Sequence, residues 1–310
     1  MPEPRITVMG SFVVDLMART PHLPVTGETV KGYGFMVGPG GKGSNQGVAA
    51  SRAGAEVDMV TKIGRDHFGQ IALESFKSAG MHTRFVMTDE KLGTGAALIM
   101  VDDNTGDNKI LVAPGACSNI TEMDIEKARP AIEANAVFLT QLETNLDAIE
   151  KAIGIAADKG TKIILNPAPV SDVSDALLGL VDILTPNEVE ASALSGVDIY
   201  GPSEATVAAR ALMRRGARNI IITLGALGLL AVTEAEERFI PSLKVAAVDT
   251  TGAGDAFNGA LATAVAEGKG FFEAAEFANA AAALSVTRIG TARAMPERQD
   301  IDRAILQLEG

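Results

Sequence analysis

Short runs of apolar residues recur along the chain, and stretches of helical pattern separate them. Each run is rich in Val, Ile or Leu and is bounded by Gly, Pro, Asn or Thr. Runs of this kind are typical of strands that are buried on both faces of a sheet. The pattern predicts strands at residues 6–12, 57–63, 136–140, 162–165, 181–184 and 219–224.

Stretches of helical length lie between these runs. They predict helices at residues 44–52, 67–78, 146–158, 205–214, 255–266 and 273–287. Alternation of strands and helices over most of the chain is typical of a doubly wound α/β sheet. We therefore expect an α/β fold class with helices on both faces of the sheet.

Two segments break this alternation. Residues 28–36 and 84–112 have the composition of strands, are divided by turns, and contain no pattern of helical length. They predict a small, separate β-sheet inserted in the α/β body, with strands drawn from about residues 13–38 and 84–112. A small sheet above a large body often acts as a lid over a ligand site.

Composition narrows the possible partners. The chain has 310 residues, enough for one large or two smaller domains. It carries 39 acidic and 27 basic residues, and the formal net charge of −12 argues against a nucleic acid or an anionic membrane as a partner. A single cysteine, Cys117, excludes an intramolecular disulfide and a zinc site made of cysteines alone. Small molecules are the expected partners.

The location is predicted from what the sequence lacks. The start of the chain does not resemble a secretory signal peptide. No window approaches the length of uninterrupted apolar sequence that a transmembrane helix needs. We therefore expect a cytoplasmic protein.

The first motif with possible chemistry is the glycine-rich stretch at residues 38–45. It contains the spacing G-x-G-x-x-G, but about 25 residues separate it from the first predicted strand, which a dinucleotide-binding fingerprint should follow directly. One interpretation is a glycine turn that caps the next helix. The other is a loop that lets a polar ligand approach the backbone closely, with Lys42 and Asn45 offering hydrogen bonds.

The second motif, at residues 249–255, precedes a stripe of apolar residues at helical spacing. Gly252, Ala253 and Gly254 therefore fall at a helix N-terminus, where free N–H groups and the helix dipole favour an anion. Asp255 could simply suit the dipole. A carboxylate beside a phosphate site also fits a base that deprotonates an incoming hydroxyl, which is the arrangement used in phosphoryl transfer.

Further polar residues follow the predicted strands. Asn187 and Glu190 open a helix three residues apart, which fits a capping box as well as a ligand site. Thr223 and the glycines at 225 and 228 form a turn after another strand. Residues 141–143 and 166–169 lie at the same predicted edge, where open α/β sheets bind ligands.

Taken together, the two glycine motifs resemble the signatures of the ribokinase (phosphofructokinase-B-type) carbohydrate kinase family. Between them, residues 141–143, 166–169, 185–190 and 223–225 resemble the family in order and spacing. The likeness covers nearly the whole chain. It implies one carbohydrate kinase domain over residues 1–310, with a Rossmann-like α/β body and a β lid that also serves as a dimer clasp. It further implies MgATP as phosphoryl donor and a sugar hydroxymethyl group as acceptor.

The resemblance also implies a role for particular residues. Asp255 corresponds to the catalytic base, and Gly252, Ala253 and Gly254 correspond to the anion hole. The implied sugar site contains Val13, Asp15, Gly41, Lys42, Gly43, Asn45 and Glu143. The implied nucleotide contacts are Asn187, Thr223, Gly225, Gly228, Gly254 and Asn279. Glu190 corresponds to the Mg²⁺ and phosphate motif. A K⁺ (monovalent cation) site is matched by Asp249, Thr251, Ser285, Arg288 and Gly290.

Two positions depart from the family pattern. Val13 stands where the family usually has an Asn that binds a sugar hydroxyl, and relatives that phosphorylate deoxyribose look similar in having an apolar residue there. Ala294 stands where a Ser often supplies a hydroxyl to the monovalent cation. These departures bear on the choice of sugar and on the dependence on K⁺.

The resulting hypothesis is an ATP-dependent kinase that phosphorylates the O5 hydroxyl of D-ribose. A 2-deoxyribose kinase and an enzyme for another acceptor, such as a fructose-type sugar, are the alternatives. A protein that keeps the fold without catalysis would be favoured by damage to Asp255 or to Gly252–Gly254, and both are intact.

Overall fold

The computed structural model of the chain describes residues 4–309. Its strands are β1 (Arg5–Met9), β2 (Val13–Thr20), β3 (Tyr33–Gly40), β4 (Glu56–Gly64), β5 (His82–Asp89), β6 (Thr94–Asp102), β7 (Asn108–Gly115), β8 (Val137–Thr140), β9 (Lys162–Leu165), β10 (Ile183–Leu184), β11 (Asn219–Thr223), β12 (Gly228–Val232) and β13 (Glu237–Pro241). Its helices are α1 (Lys42–Arg52), α2 (His67–Ser78), α3 (Glu122–Ala134), α4 (Leu146–Lys159), α5 (Asp175–Leu178), α6 (Glu188–Ser195), α7 (Pro202–Arg214), α8 (Ala253–Ala266), α9 (Phe271–Ser285) and α10 (Arg298–Glu309).

Nine strands form one large sheet in the order β13-β12-β11-β10-β9-β8-β1-β4-β5. The pairs from β11 to β5 are parallel, and β12 and β13 close one edge in antiparallel orientation. All six apolar runs of the sequence contribute strands to this sheet, as predicted. β1 lies between β4 and β8, so the chain winds outward from it in both directions.

Apolar residues cover both faces of the large sheet. In β8, Val137 and Leu139 pack into one cluster with α1, α8 and α9, whereas Phe138 packs into a second cluster with α3, α4 and α7. Successive strand residues point to opposite faces, so a strand buried on both sides must be apolar throughout. The prediction of a doubly wound α/β sheet is confirmed.

A second sheet of four strands stands apart, in the order β3-β2-β6-β7. β2 and β6 pair in parallel, and the two outer pairs are antiparallel. The small sheet is thus inserted in the chain between β1 and α1 and again between β5 and α3. The prediction of a separate small sheet is confirmed, although its limits differ from those expected.

The prediction that residues 84–112 belong wholly to the small sheet is wrong. β5 pairs with β4 and forms an edge of the large sheet. Its apolar residues explain this position, because Phe85 packs against one core cluster and Val86 against the other. Only β6 and β7 of this segment lie in the small sheet, together with β2 and β3.

Other boundaries also shift. The first strand ends at Met9, and not at residue 12. The next residue, Gly10, packs against the start of α1, since a Cβ atom there would lie 2.7 Å from the Cα atom of Gly43. The helices α3 and α10 were not predicted, although Thr121 and Asp124 form a capping box at the start of α3. Among residues 4–309, none of the helices combines the length and the apolar character that crossing a membrane requires.

Candidate active site

The candidate site lies outside the carboxyl ends of β1 and β8, where the winding direction of the large sheet reverses. Ligands of open α/β sheets bind at such a reversal point. Glu143, just past β8, accepts hydrogen bonds from the Ser11 hydroxyl, just past β1, and from the backbone N–H of Lys42 at 2.8 Å. These bonds join the two strand ends to the start of α1.

The glycine-rich loop is shaped by close backbone approach. Gly41 precedes α1 with a φ of 90°, in the left-handed region that favours glycine. A Cβ atom on Gly43 would lie 2.5 Å from the carbonyl carbon of Gly10. The glycines therefore allow α1 to begin directly against the end of β1. The loop does start a helix, as the simpler interpretation held, and it also directs Asn45 toward the other motif.

The two glycine motifs meet at Asp255. Its Oδ2 atom accepts a hydrogen bond of 3.0 Å from Asn45 Nδ2, and its Oδ1 atom accepts one of 3.0 Å from Gln46 Nε2. The Asp255 residue is buried in the first turn of α8. The structure thus brings a carboxylate and the Gly-rich helix start together, as the prediction of a base beside an anion hole requires.

The start of α8 is not capped by any side chain of residues 4–309. Gly252 occupies the N-cap position with a φ of 79°, and none of these side chains accepts a hydrogen bond from the first N–H groups. A Cβ atom on Gly254 would meet nothing within 4 Å in the described part of the chain, apart from the backbone of its own helix and its neighbours. Among the described residues, the N–H groups of Gly252 and Gly254 have no acceptor, whereas that of Ala253 donates to the carbonyl of Thr250 at 3.3 Å. Free N–H groups at a positive dipole end form an anion site.

Burial and neighbouring charges set the protonation of the site. Burial raises the pKa of the Asp255 carboxyl, against the opposing effects of Lys42 and the amides of Asn45 and Gln46. Burial opposes the charge of Lys42, but Asp255, Glu143 and Glu190 together raise its pKa. A protonated Lys42 therefore sits among carboxylates at the point where the two motifs meet.

The small sheet contributes Asp15 to the same site. A Cβ atom on Gly40 would lie 2.3 Å from Asp15 Oδ1, so the carboxylate rests against the glycine loop. Burial, followed by the charges of Glu143 and Asp255, raises the pKa of Asp15 to about 6. Val13, two residues earlier on the same face of β2, is buried. The predicted sugar contacts are therefore brought together by the glycine loop, β2 and the end of β8.

The predicted nucleotide residues form a neighbouring group. Asn187 and Glu190 make a reciprocal capping box at the start of α6, with both hydrogen bonds at 2.9 Å. A backbone bridge joins Asn187 to Thr223 at the end of β11. Gly225 lies in the turn that leads into β12, and Gly228 is the first residue of that strand. Asn279 of α9 donates to the carbonyl oxygen of Pro241 at 2.8 Å.

The predicted cation residues meet beside the start of α8. The Asp249 carboxylate accepts hydrogen bonds of 2.9 Å from the N–H groups of Thr251 and Gly290. The side chains of Ser285 and Arg288 are engaged elsewhere, with the carbonyl of Ala282 and with Asp300. The guanidinium of Arg288 cannot bind a cation, so only the backbone carbonyl of that residue could face one, whereas the Ser285 hydroxyl oxygen keeps its lone pairs.

Sequence analysis missed three buried polar residues of the site. Gln46 contacts Asp255, and Ser11 contacts Glu143. Asn258 accepts a hydrogen bond of 2.6 Å from the Thr185 hydroxyl. A signal was available for Asn258, because it lies three residues after Asp255 and therefore on the same face of α8.

Comparison with known proteins agrees with this geometry. The sequence profile of the pfkB family carbohydrate kinases matches residues 3–298. The ribokinase of Haemophilus influenzae is 41% identical over 295 residues, which cover 95% of this chain and 96% of that protein. The deoxyribokinase of Salmonella typhi is 36% identical over 292 residues, covering 94% of this chain and 95% of that protein.

A solved structure shows the same fold. The ribokinase of Arabidopsis thaliana, solved in complex with ribose and ATP, superimposes with a TM-score of 0.89 at 28% identity. The match covers 98% of this chain and 99% of that one. The family resemblance carried by the two glycine motifs is therefore confirmed. The chain belongs to the pfkB family of carbohydrate kinases.

Proposed function

We propose that the chain transfers the γ-phosphoryl group of ATP to the O5 hydroxyl of D-ribose, giving ribose 5-phosphate and ADP. The observation that carries this proposal is the buried Asp255 carboxylate at the uncapped start of α8, within hydrogen-bond reach of Asn45. Relatives named ribokinase at up to 41% identity, and the complex of the Arabidopsis enzyme with ribose and ATP, support these two substrates.

In the proposed reaction Asp255 acts as general base. It accepts the proton of the O5 hydroxyl as O5 forms a bond to the γ-phosphorus. The bond from the γ-phosphorus to the bridging oxygen breaks, and ADP leaves with the electron pair. The N–H groups at residues 252–254 stabilise the negative charge on the transferring group, and Asp255 later returns its proton to solvent.

Glu190 is the proposed residue for holding Mg²⁺ next to the phosphates. Its Oε2 atom accepts the cap hydrogen bond from Asn187, so Oε1 is the oxygen that could hold a metal-bound water. Burial raises the pKa of this carboxyl, and Lys42 opposes the rise. When bound, Mg²⁺ would neutralise charge on the phosphate oxygens.

K⁺ is proposed for the loop that joins Asp249 and Thr251 to residues 285–290. The backbone N–H groups of Val248 and Asp249 both donate to the carbonyl of Val286, at 2.7 and 3.1 Å, so the two segments lie side by side. Their position next to the start of α8 supports a cation that orders the anion hole. Buried Ala294 supplies no hydroxyl to this loop.

A panel of acceptors tests the proposal. ADP release would be measured with ribose, 2-deoxyribose, fructose, fructose 1-phosphate and adenosine, each with and without K⁺. We expect the highest kcat/KM for ribose. A highest kcat/KM for adenosine or fructose 1-phosphate would show that the pentose assignment is wrong.

A 2-deoxyribose kinase is the second candidate, and Val13 is the observation that favours it. Valine cannot hydrogen-bond a sugar hydroxyl, and a site that lacks this partner discriminates less between OH and H. The Val13→Asn variant would test this idea, because it should raise kcat/KM for ribose relative to 2-deoxyribose. An unchanged ratio would show that Val13 does not face the 2-position.

We also propose that the chain is a homodimer joined through the small sheet. Large apolar side chains are exposed on its strands, among them Phe35, Leu98, Ile110 and Leu111. Exposed apolar patches of this kind mark interaction surfaces. Sedimentation analysis should show a dimer that the Leu111→Asp variant dissociates, whereas a wild-type monomer at every concentration would contradict the proposal.

The cytoplasm is the proposed location. The single cysteine, Cys117, is buried, and burial raises the pKa of its thiol to about 12. A chain with one unreactive thiol fits a reducing compartment. Cell fractionation with an antibody against the chain would test this.

A further inference from the structure

A buried chain of carboxamide side chains leads to Asp255 from the ends of three neighbouring strands. Gln141 follows β8, Asn166 follows β9, and Thr185 follows β10. The chain is anchored at a backbone carbonyl, because Asn166 Nδ2 donates to the oxygen of Thr185 at 2.9 Å. A carbonyl can only accept, so the amide orientation of Asn166 is fixed and its Oδ1 atom faces Gln46.

Gln46 is held from both sides. Its Nε2 atom donates to Asn166 Oδ1 at 3.1 Å and to Asp255 Oδ1 at 3.0 Å. Its Oε1 atom accepts a hydrogen bond of 2.6 Å from Gln141 Nε2. If the Gln46 amide were flipped, its oxygen would face the Asp255 carboxylate and its NH₂ group would face the NH₂ group of Gln141. The orientation of Gln46 is therefore unique.

Gln46 reaches the Asp255 carboxylate but cannot touch a ligand. Its side chain is fully buried, with 0% of the residue exposed. By contrast, Asn45 bonds the other oxygen of the same carboxylate, Oδ2, and belongs to the predicted sugar site. Oδ1 therefore faces the protein interior, and Oδ2 is the oxygen that can receive a proton from a sugar hydroxyl.

The network also reaches the anion hole. The Thr185 hydroxyl donates to Asn258 Oδ1 at 2.6 Å, and Asn258 Nδ2 donates to the carbonyl of Gly254 at 2.8 Å. One hydrogen-bond network at the ends of these strands therefore contacts both the Asp255 carboxylate and the backbone at the start of α8.

We infer that Gln46 is a positioning residue, which fixes the plane of the Asp255 carboxylate so that Oδ2 meets the substrate hydroxyl. This inference rests on the proposed function of Asp255 as the base. A buried carboxylate with a donor on each oxygen has no freedom to rotate about its terminal bond. Removing the Gln46 donor frees that rotation and leaves the charge of Oδ1 without a partner.

The Gln46→Met variant tests the inference, because it keeps the length of the side chain and removes both hydrogen-bonding atoms. Loss of one hydrogen bond to a charged group should lower kcat of this variant roughly 10- to 100-fold. Loss of the donor destabilises the ionised carboxylate, so the acid limb of the kcat profile should move up by about one pH unit. Binding of ADP, measured by calorimetry, should not change.

Asn135→Leu is the matched control. Asn135 is also a buried carboxamide that donates to a buried carboxylate, Asp58, at 3.0 Å, but it lies at the opposite end of the large sheet. Both variants should lower the melting temperature. Only Gln46→Met should move the acid limb. If the two variants lose stability alike and kcat keeps its pH profile in both, the positioning role is wrong.

Two further measurements keep the test decisive. If Gln46→Met does not fold, Gln141→Met removes only the donor to Gln46 Oε1 and should give a smaller shift in the same direction. An unshifted acid limb of the kcat profile would overturn the inference.

The pKa of the Asp255 carboxyl can also be measured directly by ¹³C NMR, with its signal assigned from the Asp255→Asn variant. This separates the two claims, since a wild type that phosphorylates no sugar refutes the proposed function, whereas an Asp255 titration unchanged by Gln46→Met refutes the positioning role.

Discussion

Two helices begin at the candidate site, and their first turns are built in opposite ways. The first turn of α6 is closed by its own side chains, since Asn187 and Glu190 satisfy each other's backbone N–H groups. The first turn of α8 begins at Gly252 and has no side-chain cap. The first turn of each helix carries a buried acid whose pKa is raised, Glu190 in α6 and Asp255 in α8.

The difference shows how a structural helix start and a ligand site can be told apart. At the capped start of α6, the N–H groups of Asn187 and Glu190 are already bonded, so an anion cannot bind them, and only Glu190 Oε1 is left for a ligand. An uncapped start keeps its donors for a ligand and depends on that ligand to satisfy them. The sequence allowed a simple cap for either helix, and the structure assigns that arrangement to α6 alone.

The largest effect is expected at the acid of α8. Asp255→Asn keeps the size of the side chain and removes the base, so kcat should fall by about 10²–10⁴-fold. The affinity for ADP, measured by calorimetry, should change little. The matched Glu190→Gln variant should lower kcat less, because Glu190 is not the base. A near-wild-type kcat for Asp255→Asn would show that Asp255 is not the base and that the two helix starts do not differ in this way.

The space above α8 provides the next test. Gly254→Ala adds a methyl group that meets no protein atom within 4 Å apart from its immediate surroundings, so the free protein should keep or gain stability. The same methyl group would occupy the anion site, and kcat/KM for ATP should fall by about 10²–10³-fold, which is the typical loss for one oxyanion contact.

Gly154→Ala, in the middle of α4, is the control for this substitution, because an added Cβ atom there also meets nothing within 4 Å. It should leave kcat/KM unchanged while the melting temperature rises or stays constant. Equal ATP kinetics in the two variants would show that the start of α8 does not bind phosphate.

A pH titration extends the comparison to the small sheet. Asp15, with a pKa raised to about 6, is ionised above that pH, and in the proposed sugar site it would then accept hydrogen bonds from sugar hydroxyls. Below it the carboxyl binds a proton, so the Kd for ribose should rise by up to tenfold per pH unit. Calorimetry without nucleotide measures this. In Asp15→Asn the Kd should be higher and nearly independent of pH between about 5 and 7. An acid limb that survives in this variant would assign the titration to another group.

The smallest effect on catalysis is expected at the capped helix. Asn187→Ala removes the cap of α6 and should lower the free energy of unfolding by about 1 kcal/mol. The KM for ATP should change only a few-fold, because Asn187 Oδ1 is engaged by the N–H of Glu190. Denaturant unfolding and steady-state kinetics measure the two effects. A large kinetic loss without a loss of stability would show that both helix starts serve the ligand.

The sequence predicted the central strands of the large sheet better than its edge strand and its helices. Strands buried on both faces, such as β8 and β9, were recognised because their composition is uniform. β5 was misassigned because no helix separates it from β6, so the strand–helix alternation that marks the large sheet is missing at this point of the chain. The α3 helix was missed although Thr121 caps it, and Pro130 lies within it.

The site was predictable where glycine spacing or a charge marked it. Asp255 and the helix start at 252–254 were found in this way. Gln46 was not, because its role depends on Gln141 and Asn166, which reach it only through the order of the strands. Contacts between distant segments do not leave a local pattern in the sequence.

The carboxamides of Asn45 and Gln46 lie more than 200 residues before their carboxylate partner, and Asn45 and Asp255 are separated by 210 residues in sequence. During synthesis on the ribosome, α1 therefore emerges long before α8 exists. Until then its amides lack their acceptor, and the apolar face that α1 shares with α8 is uncovered. Synthesis of the last third of the polypeptide thus completes the hydrophobic core and the reaction centre together. A nascent chain that ends before α8 lacks both.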